Sequence, residues 1–384
     1  MRRLVVLLSC IVALDIMFFA ALAPLLPHFV SEYGLSKGAA GVLSATYAAG
    51  VLAASVPGGL AAARFGPRQA ALGGVALTAL ASLAFGLSHG AWMLGAARLL
   101  QGIGSAFSWS GALAWLVAAA PRERRGALIG ATMGAAVFGA LLGPVLGAIA
   151  TVAGVRATFI GVSVLGIVLG GWVLATPGVE PQPQSLSALG RADRRLYGGL
   201  WLLVLPALLF GVLSVLVPLT LHDDGWGGVA IGAVFLVTAG VEVVLNPLLG
   251  RFTDTRGLML PVRLALVGSV AVSLAFAAAD AAPLVAGLVL VAGFTYGAFY
   301  TPGMALLTDA AEKRNIAPAL AFGAMNGAWA AGNVVGPALG GWLAEIAGDS
   351  LPYLLLAAVC LITLAGTMPR APRYVQPRSR PTSS

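Results

Sequence analysis

Along this chain, apolar runs long enough to cross a bilayer alternate with short polar breaks. At ~20 apolar residues per span, the pattern predicts twelve helices, at about 4–29, 36–62, 69–88, 91–118, 126–150, 155–176, 197–221, 228–250, 259–279, 282–308, 316–345 and 350–368. The one long polar interruption, 177–196, contains Pro177, Pro181 and Pro183 and a Gln/Ser-rich stretch ahead of Arg191, Arg194 and Arg195, and reads as a linker. Beyond residue 369, prolines, arginines and Ser/Thr with little apolar content predict a disordered tail. The expected architecture is an all-α membrane protein with a six-helix half over 1–176, a cytoplasmic linker over 177–196, a second six-helix half over 197–368 and a cytoplasmic tail over 369–384.

Two motifs occur twice. Gly139, Gly143-Pro144 and Gly147 in span 5 spell GxxxGPxxG, and Gly332, Gly336-Pro337 and Gly340 spell it again in span 11. Gly59 to Gly66, with Arg64 inside it and Arg68 just beyond, follows span 2; Gly250 to Gly257, with Arg251, Asp254 and Arg256, ends span 8 at nearly the same spacing from its partner. Internal repeats of this kind are how many secondary transporters build alternating access around a midplane site. Small residues four apart also let helices approach closely, and a proline loosens one backbone hydrogen bond. Spans 5 and 11 are therefore expected to pack tightly and bend, as a seam on which the halves rock or as ordinary close packing.

Composition fixes the solvent. With 59% hydrophobic and 9% charged residues, against roughly 25% charged in soluble domains, the surface must face lipid. The net charge of +8 does not indicate nucleic acid, because the basic residues cluster in alternate loops: Arg64/Arg68, Arg122/Arg124/Arg125, Arg191/Arg194/Arg195, Arg251/Arg256/Arg263 and Lys313/Arg314. The opposite loops hold mainly Lys37 and Arg156 beside Glu32, Asp223, Asp224, Asp280 and Asp349. By the positive-inside rule both termini face the cytoplasm, in a multi-pass protein of the cell (inner) membrane. The first span imitates a signal peptide, but its apolar run is too long and Pro24 follows the small residues, so it is expected to stay uncleaved. Cys10 and Cys360 lie inside spans, and His28, His89 and His222 are scattered, so no disulfide framework, metal site or cofactor is expected.

On these residues the chain resembles the major facilitator superfamily over roughly 4 to 368. Gly59 to Gly66 with Arg68 resembles the family's loop signature between helices 2 and 3, and Gly250 to Gly257 its copy between helices 8 and 9. Leu94, Arg98, Gln101, Gly102 and Gly104 resemble the helix-4 signature, and GxxxGPxxG in span 5 resembles that of drug:proton antiporters. Leu14-Asp15, followed by Pro24-Leu-Leu-Pro27, is similar to the vesicular amine transporter branch. The resemblance implies the major facilitator fold and places proton-linked function on Arg98. It also implies a cytoplasmic latch in which a loop carboxylate meets positive helix ends and arginines. Here the first copy has Ala63 where that carboxylate usually stands, so gating is expected to lean on Asp254 with Arg251 and Arg256.

A charge at the bilayer centre costs at least ~2.5–3.5 kcal/mol on insertion scales, so charges retained there need a reason. Three stand clearly within spans: Asp15, Arg98 and Glu242. Helical periodicity groups Arg98, Gln101, Ser105 and Trp109 on span 4, and Thr238, Glu242 and Asn246 on span 8. It sets Tyr296 one turn from Tyr300 on span 10, and Asn326, Trp329 and Asn333 along span 11. These stripes are expected to enclose a polar, aromatic cavity. Asp15 either carries a proton or meets a cationic substrate, or else is a structural partner of a basic group. Glu242 serves coupling or gate architecture, and Arg98 serves coupling or as counter-ion to a buried acid. Trp109, Trp329, Tyr296 and Tyr300 either offer π-faces to a cation or fill the core. Trp92, Trp172, Trp201 and Trp226 read as interface anchors, and Asp309 and Glu345 as solvated helix ends.

The expected function is secondary active transport: proton-coupled antiport, in the efflux direction, of lipophilic cationic small molecules or drugs. The alternative is a facilitator or symporter of a neutral metabolite such as a sugar or amino-acid derivative. No nucleophile–base or metal-ligand cluster in the spans suggests an enzyme. The expected partners are the small-molecule substrate, protons and the lipid bilayer, with no nucleic acid and a monomeric state.

Overall fold

The computed structural model describes residues 1–121, 124–180, 194–314 and 318–367; most of the expected linker and the whole tail lie outside the described residues. Fourteen helices carry the chain: α1 Arg2–Ala20, α2 Leu22–Tyr33, α3 Lys37–Phe65, α4 Pro67–Gly86, α5 Ala91–Ala119, α6 Arg125–Ala153, α7 Val155–Ala175, α8 Arg194–Asp223, α9 Gly228–Arg256, α10 Met259–Ala277, α11 Ala282–Gly297, α12 Tyr300–Glu312, α13 Pro318–Ala347 and α14 Ser350–Thr367. Ten described segments are long and apolar enough to cross a membrane. α9 adds the shorter apolar stretch Gly228–Val244, and α13 is diluted by glycine. The protein is an all-helical, multi-pass membrane protein.

Two expected spans are each two helices, and proline explains both breaks. Pro24 and Pro27 lack the N–H that would serve the carbonyls of Ala20 and Ala23, so α1 ends at Ala20 and the chain re-enters a helix at Leu22. Pro302 likewise leaves the Ala298 carbonyl without its donor, where α11 gives way to α12. Phe299 N instead bonds Tyr296 O at 3.5 Å, a tighter turn.

In lipid, helices associate by close van der Waals packing rather than by hydrophobic drive, and here the repeated glycines supply the approach. A Cβ placed on Gly139 would lie 2.3 Å from Ala13 O, on Gly143 3.0 Å from Met17 O, and on Gly147 2.4 Å from Ala21 O, which sets α6 against α1 and α2. The same three steps recur in α13: Gly332 faces Val204 O at 2.4 Å, Gly336 faces Leu208 O at 2.4 Å, and Gly340 meets the Val212 side chain at 2.9 Å, all on α8.

Two further seams join these pairs. α3 meets α13 where Gly41 faces Pro337 O at 2.2 Å and Gly341 faces Lys37 O at 2.4 Å, and α6 meets α9 where Gly232 faces Pro144 O at 2.9 Å. Both lie at one end of the bundle, formed by the N-termini of α3 and α9 and the C-termini of α6 and α13. Polar contacts close that end: Lys37 Nζ to Asp349 Oδ1 at 2.6 Å, and Gly38 N donating to Glu345 Oε2 at 2.8 Å. Glu345 is exposed, as a helix-end acid should be, yet it also caps α3 from across the seam. Toward the opposite end the same helices expose Val56, Leu60 and Phe65 of α3 and Leu248 of α9.

Candidate functional site

Asp15 stands in the last third of α1, near the middle of the span that α1 and α2 make together, and is 2% exposed. Its Oδ2 accepts from Ser105 Oγ at 2.6 Å, Trp109 Nε1 at 2.9 Å and the Tyr47 hydroxyl at 3.1 Å. Tyr47 also lies 2.8 Å from Ser105 Oγ, so one hydroxyl proton serves either acceptor. These donors come from α3 and α5, held against each other by Gly50 and Gly102, whose added Cβ atoms would lie 2.2 Å from Leu99 O and 1.9 Å from Tyr47 O. A carboxylate ringed by such donors keeps its solvation after water is removed.

Arg98 is buried about two turns before Ser105 on the same stripe. Its guanidinium donates to Gln101 Oε1 at 2.8 Å, to Phe18 O at 3.3 Å and to Phe19 O at 3.4 Å, the last turn of α1 before its break. The charge lies 5.1 Å from the Tyr47 ring centroid, 5.8 Å from Phe19 and 5.9 Å from Phe18, within cation–π range. It acts on Asp15 through space without a salt bridge. Arg98, Gln101, Ser105 and Trp109 thus do share one face of α5, turned toward α1.

A second acidic group is separate. Glu242 of α9 is half-buried and runs along the groove left by Gly293 and Gly297 of α11. The Tyr300 hydroxyl faces both Glu242 and Trp329. Trp329 of α13 in turn touches Phe19, ring centroids 5.1 Å apart, and Tyr47 at 6.4 Å. One tryptophan therefore stands between the Asp15 cluster and the Glu242 cluster. Asn333 Nδ2 bonds back to Trp329 O at 3.1 Å, steadying that turn, and Asn326 is half-buried a turn earlier.

Tyr296 is a correction. Expected to line a cavity with Tyr300 one turn on, it is turned instead toward α10 and α8. It is 0% exposed, shares a 2.8 Å hydrogen bond with Ser273 of α10 and packs its ring 5.7 Å from Phe210 of α8. Tyr47, Phe18 and Phe19 belong to the site but were absent from the sequence stripes. A hydroxyl-bearing aromatic inside an otherwise small and apolar span 2 was the available signal for Tyr47.

The loop motifs occupy the end opposite the closed seams. Gly66 and Gly257 have φ of 100° and 76°, a region glycine enters without strain, and each lets a helix stop and the next begin. Gly59 is exposed with no close neighbour. Arg64 lies 5.5 Å over the Phe65 ring. Arg68 Nε donates to Val173 O at 3.1 Å and its terminal nitrogen to Leu174 O, closing the end of α7. Arg251 and Arg256 are exposed; Gly250, Asp254 and Asn246 fall within α9, and the side chains of Asp254 and Asn246 lie outside what is described. No group of three His, Cys, Asp or Glu that would hold a metal ion occurs among the described residues.

A family model described as Major Facilitator Superfamily matches residues 8–321 and again 210–383. The probable vesicular acetylcholine transporter-B of Danio rerio is 29% identical over 204 residues, 46% of this chain and 40% of that protein. The vesicular acetylcholine transporter of Rattus norvegicus is 34% identical over 139 residues, 35% of this chain and 25% of that protein. The match thus spans less than half the length of either relative. The uncharacterized MFS-type transporter YcaD of Salmonella newport is 26% identical over 377 residues, 94% of both chains. Among solved structures, a bacterial homolog of the human lysosomal transporter Spinster, inward-facing and occupied, superposes with a TM-score of 0.75 at 14% identity, covering 95% of this chain and 96% of that one.

Proposed function

The chain belongs to the Major Facilitator Superfamily, a membrane transporter by that membership, and we propose that it exports lipophilic cationic small molecules in exchange for protons. The observation that carries this reading is a buried carboxylate near mid-span, Asp15, held by the Tyr47 hydroxyl and the Trp109 N–H, with the Phe19 and Trp329 rings packed beyond Tyr47. Such a group binds either a proton or an organic cation, and aromatic faces favour the cation when it is lipophilic. Glu242 with Tyr300 offers a second acidic, aromatic contact for a larger cation.

In this scheme residues 1–176 and 197–368 form two six-helix halves, the termini lie in the cytoplasm of a cell-membrane monomer, and the closed seams face outward. The geometry then corresponds to an inward-facing state, supported by closure of both α3–α13 and α6–α9 at the end away from the loop motifs. Asp15 releases its proton inward and accepts a cation. Rocking about the glycine seams exposes it outward, where protonation neutralises the carboxylate and frees the cation. One proton for one monovalent cation is electroneutral, so the pH gradient alone drives export, at ~1.4 kcal/mol per unit.

The test is proton release on binding. Weakly buffered purified protein titrated with a lipophilic amine is expected to release close to one proton per amine bound, and Asp15→Asn none. Saturable amine binding without proton release would refute the exchange. Binding of neutral sugars alone would favour a neutral facilitator instead.

A further inference from the structure

Asp15 has a second face. Behind it α1, α4 and α5 line a partly open pocket of about 10 Å³ bordered by Ile11, Leu14, Asp15, Val75, Thr78 and Ser108, the volume of a single water. Two buried oxygens of its lining residues have no protein partner: Asp15 Oδ1 and Thr78 Oγ1. Asp15 is 2% exposed, Thr78 4% and Ser108 2%. An unsatisfied buried carboxylate oxygen is costly, and Asp15 Oδ1 with Thr78 Oγ1 supplies the two partners that a buried water needs at the least. Three side-chain oxygens fall short of the six or more that a hard cation gathers.

We infer that this cavity is a binding site for one structural water, bridging Asp15 Oδ1 and Thr78 Oγ1, through which Asp15 gains and loses its proton. The argument rests on the exchange reading above and deepens it. Ser105, Trp109 and Tyr47 converge on Oδ2, so a protonated Asp15 carries its hydrogen on Oδ1 and donates it to the water. On deprotonation the water takes that hydrogen while passing one of its own toward the open side of the pocket, so it stays neutral and Oδ1 becomes an acceptor. The proton therefore sits on the rear oxygen and the cation approaches the front one, and the two compete through charge rather than for the same atom. Tyr47 of α3 and Arg98 of α5 are the titratable groups that act on Asp15; α4 presents the neutral Thr78.

Thr78→Val keeps the shape of the side chain and removes its hydroxyl, and Thr78→Ser restores the hydroxyl. In reconstituted vesicles, Thr78→Val is expected to slow amine-driven proton exchange roughly tenfold to 100-fold, consistent with loss of a positioned proton-transfer group. Amine affinity should stay within about twofold of wild type at a pH where Asp15 is ionised, and Thr78→Ser should recover most of the rate. An infrared difference spectrum on acidification supplies the independent readout. A carboxylic-acid C=O band that is missing in Asp15→Asn should shift to higher frequency in Thr78→Val as its hydrogen bond is lost. An unmoved Asp15 band with wild-type exchange in Thr78→Val overturns the water site while leaving the exchange reading intact. Proton-driven exchange surviving Asp15→Asn overturns the exchange reading itself. Exchange driven by sodium at constant pH would assign the cavity to a cation and overturn the water.

Discussion

Gly41 measures how finely the closed end is balanced. A Cβ there would lie 2.2 Å from Pro337 O and 3.3 Å from Gly341 Cα, both backbone, so no side chain can turn aside to admit it. Ordinary contact requires about 1 Å more, and α3 must move away from α13 by that amount. Overpacking of this kind costs about 1–3 kcal/mol. The strain falls on the state in which these helices touch and is relieved when they part, so Gly41→Ala is expected to shift the closed-to-open ratio of this end by about 5- to 150-fold. Spin labels at Ala39 and Ala347, both exposed at this end, on a background lacking Cys10 and Cys360, would report the change as a longer-distance population in double electron–electron resonance. Gly161→Ala is the control, because nothing lies within 4 Å of its would-be Cβ. A distance distribution in Gly41→Ala identical to that of the control would refute the claim that this seam is the closing contact.

Other outcomes follow from the same geometry. Lys37→Ala removes an ion pair whose side chains are 35% and 39% exposed; it should open the same end by less than about 1 kcal/mol, with the effect fading in high salt. Arg98→Ala strips the Phe18 and Phe19 carbonyls and Gln101 of their donor; loss of about 3–5 kcal/mol should appear as a lower unfolding temperature in a thermal-shift assay, and Arg98→Lys should recover only part of it. Trp109→Phe keeps the π-face and deletes one hydrogen bond to Asp15; a loss of about 1.5–3 kcal/mol should cut exchange by roughly tenfold or more with little change in protein yield.

Most of the spans were legible because lipid imposes its thickness on the sequence: ten described segments reach the length and apolarity a crossing needs, whatever they pack against. The breaks in spans 1 and 10 were not legible, since hydropathy is blind to which carbonyls lose a donor, although Pro24, Pro27 and Pro302 stood in plain view. The α5 stripe was readable because Arg98, Gln101, Ser105 and Trp109 share one unbroken helix, where a period of 3.6 holds. Tyr296 was misplaced because its partners, Ser273 of α10 and Phe210 of α8, are set by how neighbouring helices pack against α11, which periodicity within α11 does not encode. Tyr47 and Thr78 were hidden because their roles depend on how α3 and α4 rotate about their axes. That rotation is set by backbone contacts at Gly50, Gly74 and Gly102, which no periodicity within one helix encodes.

The most direct measurement of the central claim is internal pH in acid-loaded proteoliposomes challenged with a panel of lipophilic amines and neutral sugars, with Asp15→Asn in parallel. Alkalinisation triggered by amines and lost in Asp15→Asn, with folding intact, is the expected result. Amine-driven alkalinisation that persists in the variant, or pH-indifferent uptake of a neutral solute with silence toward amines, would contradict the account.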